Sequence, residues 1–220
     1  MSPPSTLPIT ASNGQPLANR FFRVSQPTNR LALVLPGINY TADMPLIYYT
    51  TQVLQFHGAD VLQLRPNYQD PAFQKTPVEG RLSWMAYDAH AGLAAGLAAG
   101  SYQQVILAGK SIGTLSMALL LAQSAGLDQA VTVWLTPLLH DPRVVKSAQG
   151  HAGSSFFMAG SDDKTFDPQA MQSIKDRTAA QVWIAKGADH SLEILGDPLQ
   201  SLNLLLAGMA ALSTFLAEVL

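Results

Sequence analysis

The chain has no cysteine. That excludes a disulfide framework, a thiol nucleophile and a thiolate metal site. Charge is scarce as well. Only 13% of the 220 residues are Asp, Glu, Lys or Arg, the net charge is −2, and no basic stripe forms, so nucleic acid is not an expected partner. No His-x-x-His or His-Glu-x-x-His spacing occurs, and no metal is expected. The C-terminal stretch 199–220 is apolar, but its longest unbroken run, Leu204 to Leu212, is far short of the ~20 residues that a membrane span needs. Gln200, Asn203, Ser213, Thr214 and Glu218 interrupt the stretch. A packed surface helix is expected there, and no membrane partner. The start, Met1-Ser-Pro-Pro-Ser-Thr-Leu-Pro, lacks the basic residues and apolar core of a secretory signal. A cytoplasmic chain is expected, with residues 1–8 as a flexible segment.

An apolar fraction of 48% suffices for one sizeable core, and 1–220 reads as a single domain. Short apolar runs predict strands at 21–25, 31–35, 60–64, 105–108, 130–135, 155–159 and 181–185. Between them, helices are predicted at 44–56 (Asp43 as N-cap), 83–99, 114–125, somewhere in 140–150, at 168–177 (Asp167 as N-cap) and at the C-terminus. A polar loop is expected from Tyr68 through Gly80. After the first two strands the alternation of strand and helix is regular. It predicts an α/β fold: a mostly parallel sheet of about seven strands with helices on both faces. The four-residue repeat Leu-Ala-Ala-Gly-Leu-Ala-Ala-Gly at 93–100 places glycine inside a helix at about 1 kcal/mol against alanine. Close packing on the sheet is the expected reason.

The most informative segment is Gly109-Lys110-Ser111-Ile112-Gly113, a Gly-x-Ser-x-Gly pattern between a predicted strand and a predicted helix. A serine on such a tight turn is held in strained backbone geometry with its hydroxyl raised for attack. Glycines on either side let strand and helix approach closely. Ser111 is therefore the candidate nucleophile. The competing reading, the end of a phosphate-binding loop Gly-x4-Gly-Lys-[Ser/Thr], requires glycine at 104, where the chain has Gln104, and a loop where it has Val105 to Ala108.

A serine hydroxyl needs a base to take its proton and an acid to orient that base. In parallel sheets functional groups gather beyond the carboxyl ends of the strands. After the strand at 155–159 come Gly160-Ser161-Asp162-Asp163, and after the strand at 181–185 come Lys186-Gly187-Ala188-Asp189-His190. Asp163, with Asp162 as competitor, is the candidate acid. His190 is the candidate base, with His140 as competitor, while His57 and His90 fall on helices. The order Ser111, Asp163, His190, with Gly-x-x-Asp and Asp-His at these positions, resembles the α/β-hydrolase superfamily from about residue 20 to the C-terminus. The resemblance implies an oxyanion hole built from two backbone N–H groups: Ile112, after the nucleophile, and Ile38, in Leu35-Pro36-Gly37-Ile38-Asn39-Tyr40. The family often has His-Gly-x where this chain has Pro36-Gly37-Ile38. Lys110 is also unusual at its place, where the family more often has an aromatic residue or histidine. It reads either as paired with an acidic neighbour or as raising positive potential near the site.

The resemblance implies acyl transfer with no cofactor. Only about 20 residues separate the strand ending at Leu135 from that beginning at Ser155, where larger relatives insert a cap. An open site for a small soluble ester or thioester is expected, with Asn39, Tyr40, Tyr68, Leu138, Leu139 and His140 as candidate pocket residues. Amide or carbon–carbon hydrolysis, or a non-catalytic binding role, would use the same fold. The sequence does not specify an oligomeric state.

Overall fold

Beta-branched and leucine-rich runs, each closed by Pro, Gly or a polar turn, form seven strands. The computed structural model describes residues 3–220. The strands are β1 (Asn19–Phe22), β2 (Arg30–Leu35), β3 (Asp60–Leu64), β4 (Gln104–Lys110), β5 (Val131–Leu135), β6 (Ser155–Gly160) and β7 (Gln181–Ala185). The helices are α1 (Pro45–Phe56), α2 (Pro71–Lys75), α3 (Val78–Ala98), α4 (Ile112–Gln123), α5 (Pro142–Gly150), α6 (Pro168–Lys175) and α7 (Pro198–Val219). The strands lie in the order β1-β3-β2-β4-β5-β6-β7. All pairs are parallel except β1 with β3. This is the doubly covered, mostly parallel sheet that the alternation predicts.

The two-residue period of β2 distributes its side chains to both layers. Leu31, Leu33 and Leu35 enter the core under α3, α4, α5 and α6. Ala32 and Val34 enter the core under α1 and α7. Gly96, inside the small-residue repeat, and Gly92, just before it, account for the close packing in α3. A Cβ on Gly92 would lie 2.6 Å from Leu64, and one on Gly96 2.9 Å from Leu31. The glycines therefore let α3 sit close on β2 and β3. Among the described residues, one helix, α7, is long and apolar enough by length and composition to cross a membrane, with a mean hydropathy of 1.7. One face of it, Met209, Leu212, Phe215 and Leu216, packs into the sheet core, and Gly208 meets Met158 and Trp183.

Two expectations need correction. Asp43 does not cap α1: the N-cap is Met44, which makes no side-chain capping bond. Asp43 instead pairs with Arg20 and with Arg65 (2.6 Å to the latter). The hydrogen bond from Arg65 first, with help from Arg20, holds its carboxyl down at about 2. The loop expected through Gly80 contains α2, capped by Asp70 through Ala72 N–H, and α3 begins at Val78 behind Pro77. In the N-terminal segment Ser5 bridges Phe21, and Leu7 exchanges hydrogen bonds with the Asn19 side chain. Residues 1 and 2 of that segment lie outside the described residues.

Strand order adds what the alternation leaves open. β1 pairs with β3 and not with its sequence neighbour β2. Parallel registers bring the carboxyl ends of the central strands to one edge. Leu35 is level with Gly109, Lys110 with Leu135, and Gly160 with Ala185. The loops that follow them converge there.

Candidate active site

The turn from β4 into α4 positions Ser111. Its backbone has φ 55 and ψ −122, a sparsely populated region that costs a non-glycine residue about 1–3 kcal/mol. The surroundings hold it there: Ser111 N–H donates to the Leu135 carbonyl (3.1 Å), and the Ser111 carbonyl accepts from Thr114 N–H and the Thr114 hydroxyl. The flanking glycines are sterically required. A Cβ on Gly113 would lie 2.0 Å from the Leu35 carbonyl oxygen, and one on Gly109 2.7 Å from the Gly113 carbonyl oxygen. Ser111 occupies the N-cap position of α4 but makes no capping bond with its hydroxyl. The hydroxyl is left to another partner.

That partner is His190. Its Nε2 lies 2.8 Å from Ser111 Oγ, and its Nδ1 lies 2.7 Å from Asp163 Oδ2. An ionised carboxylate only accepts, so Nδ1 carries the proton, and Nε2 is left to accept from the serine hydroxyl. The Asp163 side chain is 1% exposed and that of His190 34%. Burial pushes the Asp163 carboxyl up, but hydrogen bonds from His190 and Thr165 outweigh it and hold the group below the ordinary carboxylate value. Asp162 instead accepts from the Ser161 hydroxyl at the surface. The loops carrying Asp163 and His190 touch closely: a Cβ on Gly160 would lie 2.1 Å from the Ala188 carbonyl oxygen.

Sequence reasoning missed Thr165. Its N–H and its hydroxyl each lie 2.8 Å from Asp163 Oδ1, and the hydroxyl is 3.2 Å from His190 Nδ1. It orients the carboxylate that orients the imidazole. The only signal in the chain is a threonine two residues after an aspartate, the common pattern of an Asx turn.

The remaining histidines are engaged elsewhere or open to solvent. His57 Nε2 meets Ser213 Oγ, His90 meets the Ala86 carbonyl and Ser124, and His151 meets the Ala130 carbonyl. His140 is exposed on the turn before α5.

The segment after β2 passes close to Ser111. A Cβ on Gly37 would lie 3.3 Å from Ser111 Cβ, so this backbone runs against the serine, and Ile38 is the next residue along it. Ile112 opens α4, where the first N–H groups of a helix lack intrahelical acceptors and the dipole favours negative charge. Asn39 is exposed, has φ 57, and accepts from the Gln69 side chain (2.7 Å). Asn39 and Tyr68 line a cavity of about 230 Å³ together with Ile38, Arg65 and Asn67. The Tyr68 hydroxyl meets Ser116, and burial pushes its pKa up to about 12. Tyr40 borders a second cavity of about 420 Å³, beside Asp189, Ser191 and Leu192. Its hydroxyl accepts from Leu46 N–H (3.0 Å). Leu138 is half-buried and its N–H donates to Thr114. Leu139 is 2% exposed within the core, because the turn after β5 drives it inward against the α5 side. It is a packing residue here, not a pocket wall.

Among the described residues, no cluster of three or more His, Asp or Glu is arranged to hold a metal ion.

No protein-family model matches the chain, and neither does any curated protein. Solved structures do. A putative α/β hydrolase of unknown function from Agrobacterium tumefaciens superposes with a TM-score of 0.75 at 14% identity, covering 95% of this chain and 93% of that one. Est1E from Butyrivibrio proteoclasticus, solved with ferulic acid bound, gives 0.75 at 14% identity, covering 98% and 99%. A dienelactone hydrolase from Anabaena variabilis gives 0.69 at 14% identity, with full coverage of both chains. The chain has the α/β-hydrolase fold.

Proposed function

We propose that this protein is a serine hydrolase that cleaves a small carboxylic ester or thioester by acyl transfer. The observation that carries the reading is the hydrogen-bonded relay from Ser111 through His190 to Asp163, at 2.8 and 2.7 Å, on a strained strand-to-helix turn. Ser111 Oγ attacks the carbonyl carbon while its proton passes to His190 Nε2. Asp163 stabilises the resulting imidazolium through Nδ1–H. The backbone N–H groups of Ile38 and Ile112 receive the oxyanion. Collapse expels the alcohol or thiol, which takes its proton from Nε2. Water, deprotonated by the same nitrogen, then releases the acid and restores the serine. Neither step needs a cofactor.

A small substrate is favoured by the short connection from β5 to β6, which holds only α5, and by the 34% exposure of the His190 side chain. The Pyrococcus furiosus esterase Pf2001 shares the fold, with a TM-score of 0.70 at 14% identity, which agrees with ester chemistry. We propose a small-molecule substrate, without nucleic acid or membrane partners, acted on in the cytoplasm.

A panel of p-nitrophenyl esters from acetate to octanoate, with a matched thioester series, tests this. Turnover is expected on the short-chain members, with Ser111→Ala at the uncatalysed background. Equal rates for wild type and Ser111→Ala, or no turnover anywhere on the panel, contradict the reading.

A further inference from the structure

Lys110 is the residue whose place in the fold the hydrolytic cycle leaves unexplained. It is 1% exposed, among the largest fully buried side chains of the protein. Among the described residues no carboxylate forms an ion pair with it. A buried, unpaired ammonium is costly, so its retention beside the nucleophile calls for a use. Its contacts supply one. Nζ donates to the main-chain carbonyl of His190 (3.0 Å). The same nitrogen sits over the Tyr40 ring, 4.4 Å from the centroid, within cation–π range. A Cβ on Gly37 would stand 3.2 Å from Lys110 Cδ, so the stem runs along the segment that holds Ile38. One side chain thus touches the three loops that must meet: the nucleophile turn at its root, the 36–40 segment along its stem, and the histidine loop at its tip.

We propose that Lys110 is a positioning residue whose ammonium ties the His190 loop and the 36–40 segment to the nucleophile turn, so that the protonation state of this lysine regulates turnover. The proposal rests on the serine-hydrolase reading above. The groups facing the ammonium are the His190 carbonyl, the Tyr40 ring, and at longer range the carboxylates of Asp163 and Asp189. Burial pulls the lysine down from 10.5 to about 8, while Asp163 and Asp189 pull the other way. The neutral amine loses the attraction to the Tyr40 ring and becomes a weaker donor to the His190 carbonyl. Activity should therefore decline on the alkaline side as Lys110 deprotonates. Stability moves in the opposite sense. The folded pKa lies below the unfolded one, so this group's contribution is least favourable below about 8 and improves as pH rises toward 10.5.

The test compares wild type, Lys110→Met and Tyr40→Leu. It measures kcat and KM for a short p-nitrophenyl ester from pH 6 to 10, and amide hydrogen exchange over residues 186–196. For wild type an alkaline limb with a midpoint near 8 is expected. Lys110→Met should lose about 10- to 100-fold in kcat at pH 7, the scale of a misplaced catalytic group, with KM nearly unchanged and the alkaline limb absent. Exchange in the histidine loop should quicken about tenfold. Tyr40→Leu should move the limb to lower pH, because the charged form loses its aromatic partner. Thermal melts at pH 7 check folding, and Tyr40→Leu keeps the proposal open to refutation should Lys110→Met fail to fold. A Lys110→Met protein with kcat within twofold of wild type, the same alkaline limb and unchanged loop exchange overturns the proposal. Absence of turnover in wild type would count against ester chemistry alone, since loop exchange still reports whether Lys110 anchors the histidine.

Discussion

Replacing His190 with alanine should lower kcat for a short-chain ester by about 10⁴-fold or more while leaving KM within a fewfold of wild type. The imidazole is the only group within hydrogen-bonding distance of both Ser111 Oγ and Asp163 Oδ2 among the described residues. Without it the serine keeps its proton at neutral pH, and the leaving group has no donor. Among the described residues no other histidine hydrogen-bonds Ser111 Oγ: three are bonded in other parts of the fold and His140 is exposed before α5. The fold should survive, because the His190 side chain is one-third exposed and contributes little to the core. Steady-state kinetics with a matched thermal melt check both halves. A loss under tenfold would show that another base serves Ser111.

Replacing Gly113 with alanine should instead damage the fold. The added Cβ would meet the carbonyl oxygens of Leu35 at 2.0 Å and Pro36 at 2.8 Å. Both are backbone atoms at or just past the end of the interior strand β2, so neither yields without shifting the sheet. A loss of roughly 4 kcal/mol or more is expected, a large share of the about 5–15 kcal/mol that stabilises an ordinary domain. The control is Gly150→Ala at the end of α5, where a Cβ would meet nothing within 4 Å and negligible loss is expected. Urea unfolding of the three proteins measures the difference. Equal midpoints for Gly113→Ala and wild type would show that α4 does not need this close approach.

Gly109 and Gly113 also show why so much of the site is legible in the chain. The demands of the strand-to-helix turn are local: glycine, a strained residue, glycine, with an apolar strand before and a helix after. Five residues and their flanks therefore announce it. Strand ends are local too, and Asp163 and His190 stand just past predicted strands. The Asp167 cap of α6 is legible for the same reason, and it accepts from Gln169 and Ala170 N–H. What escapes depends on distant neighbours. Asp43 stands where a helix cap is expected, but Arg20 and Arg65 claim its carboxylate after the sheet has brought them near. The stretch expected as a polar loop holds Pro71 and Pro77, yet each stands at the start of a helix, where the missing N–H costs nothing. Thr165 lies on a local turn with Asp163, but its place beside the imidazole depends on the His190 loop, 25 residues further on. The partner of Lys110, 80 residues away, is a backbone carbonyl that no pattern of residue types reveals.

The central claim is that Ser111 is a nucleophile activated by His190. Its most direct test is mass spectrometry of the peptide containing Ser111 after treatment with a fluorophosphonate. A single phosphonyl adduct on Ser111 is predicted in wild type. It should be lost in Ser111→Ala and slowed by orders of magnitude in His190→Ala. Labelling at another residue, or equal labelling of all three proteins, would contradict it.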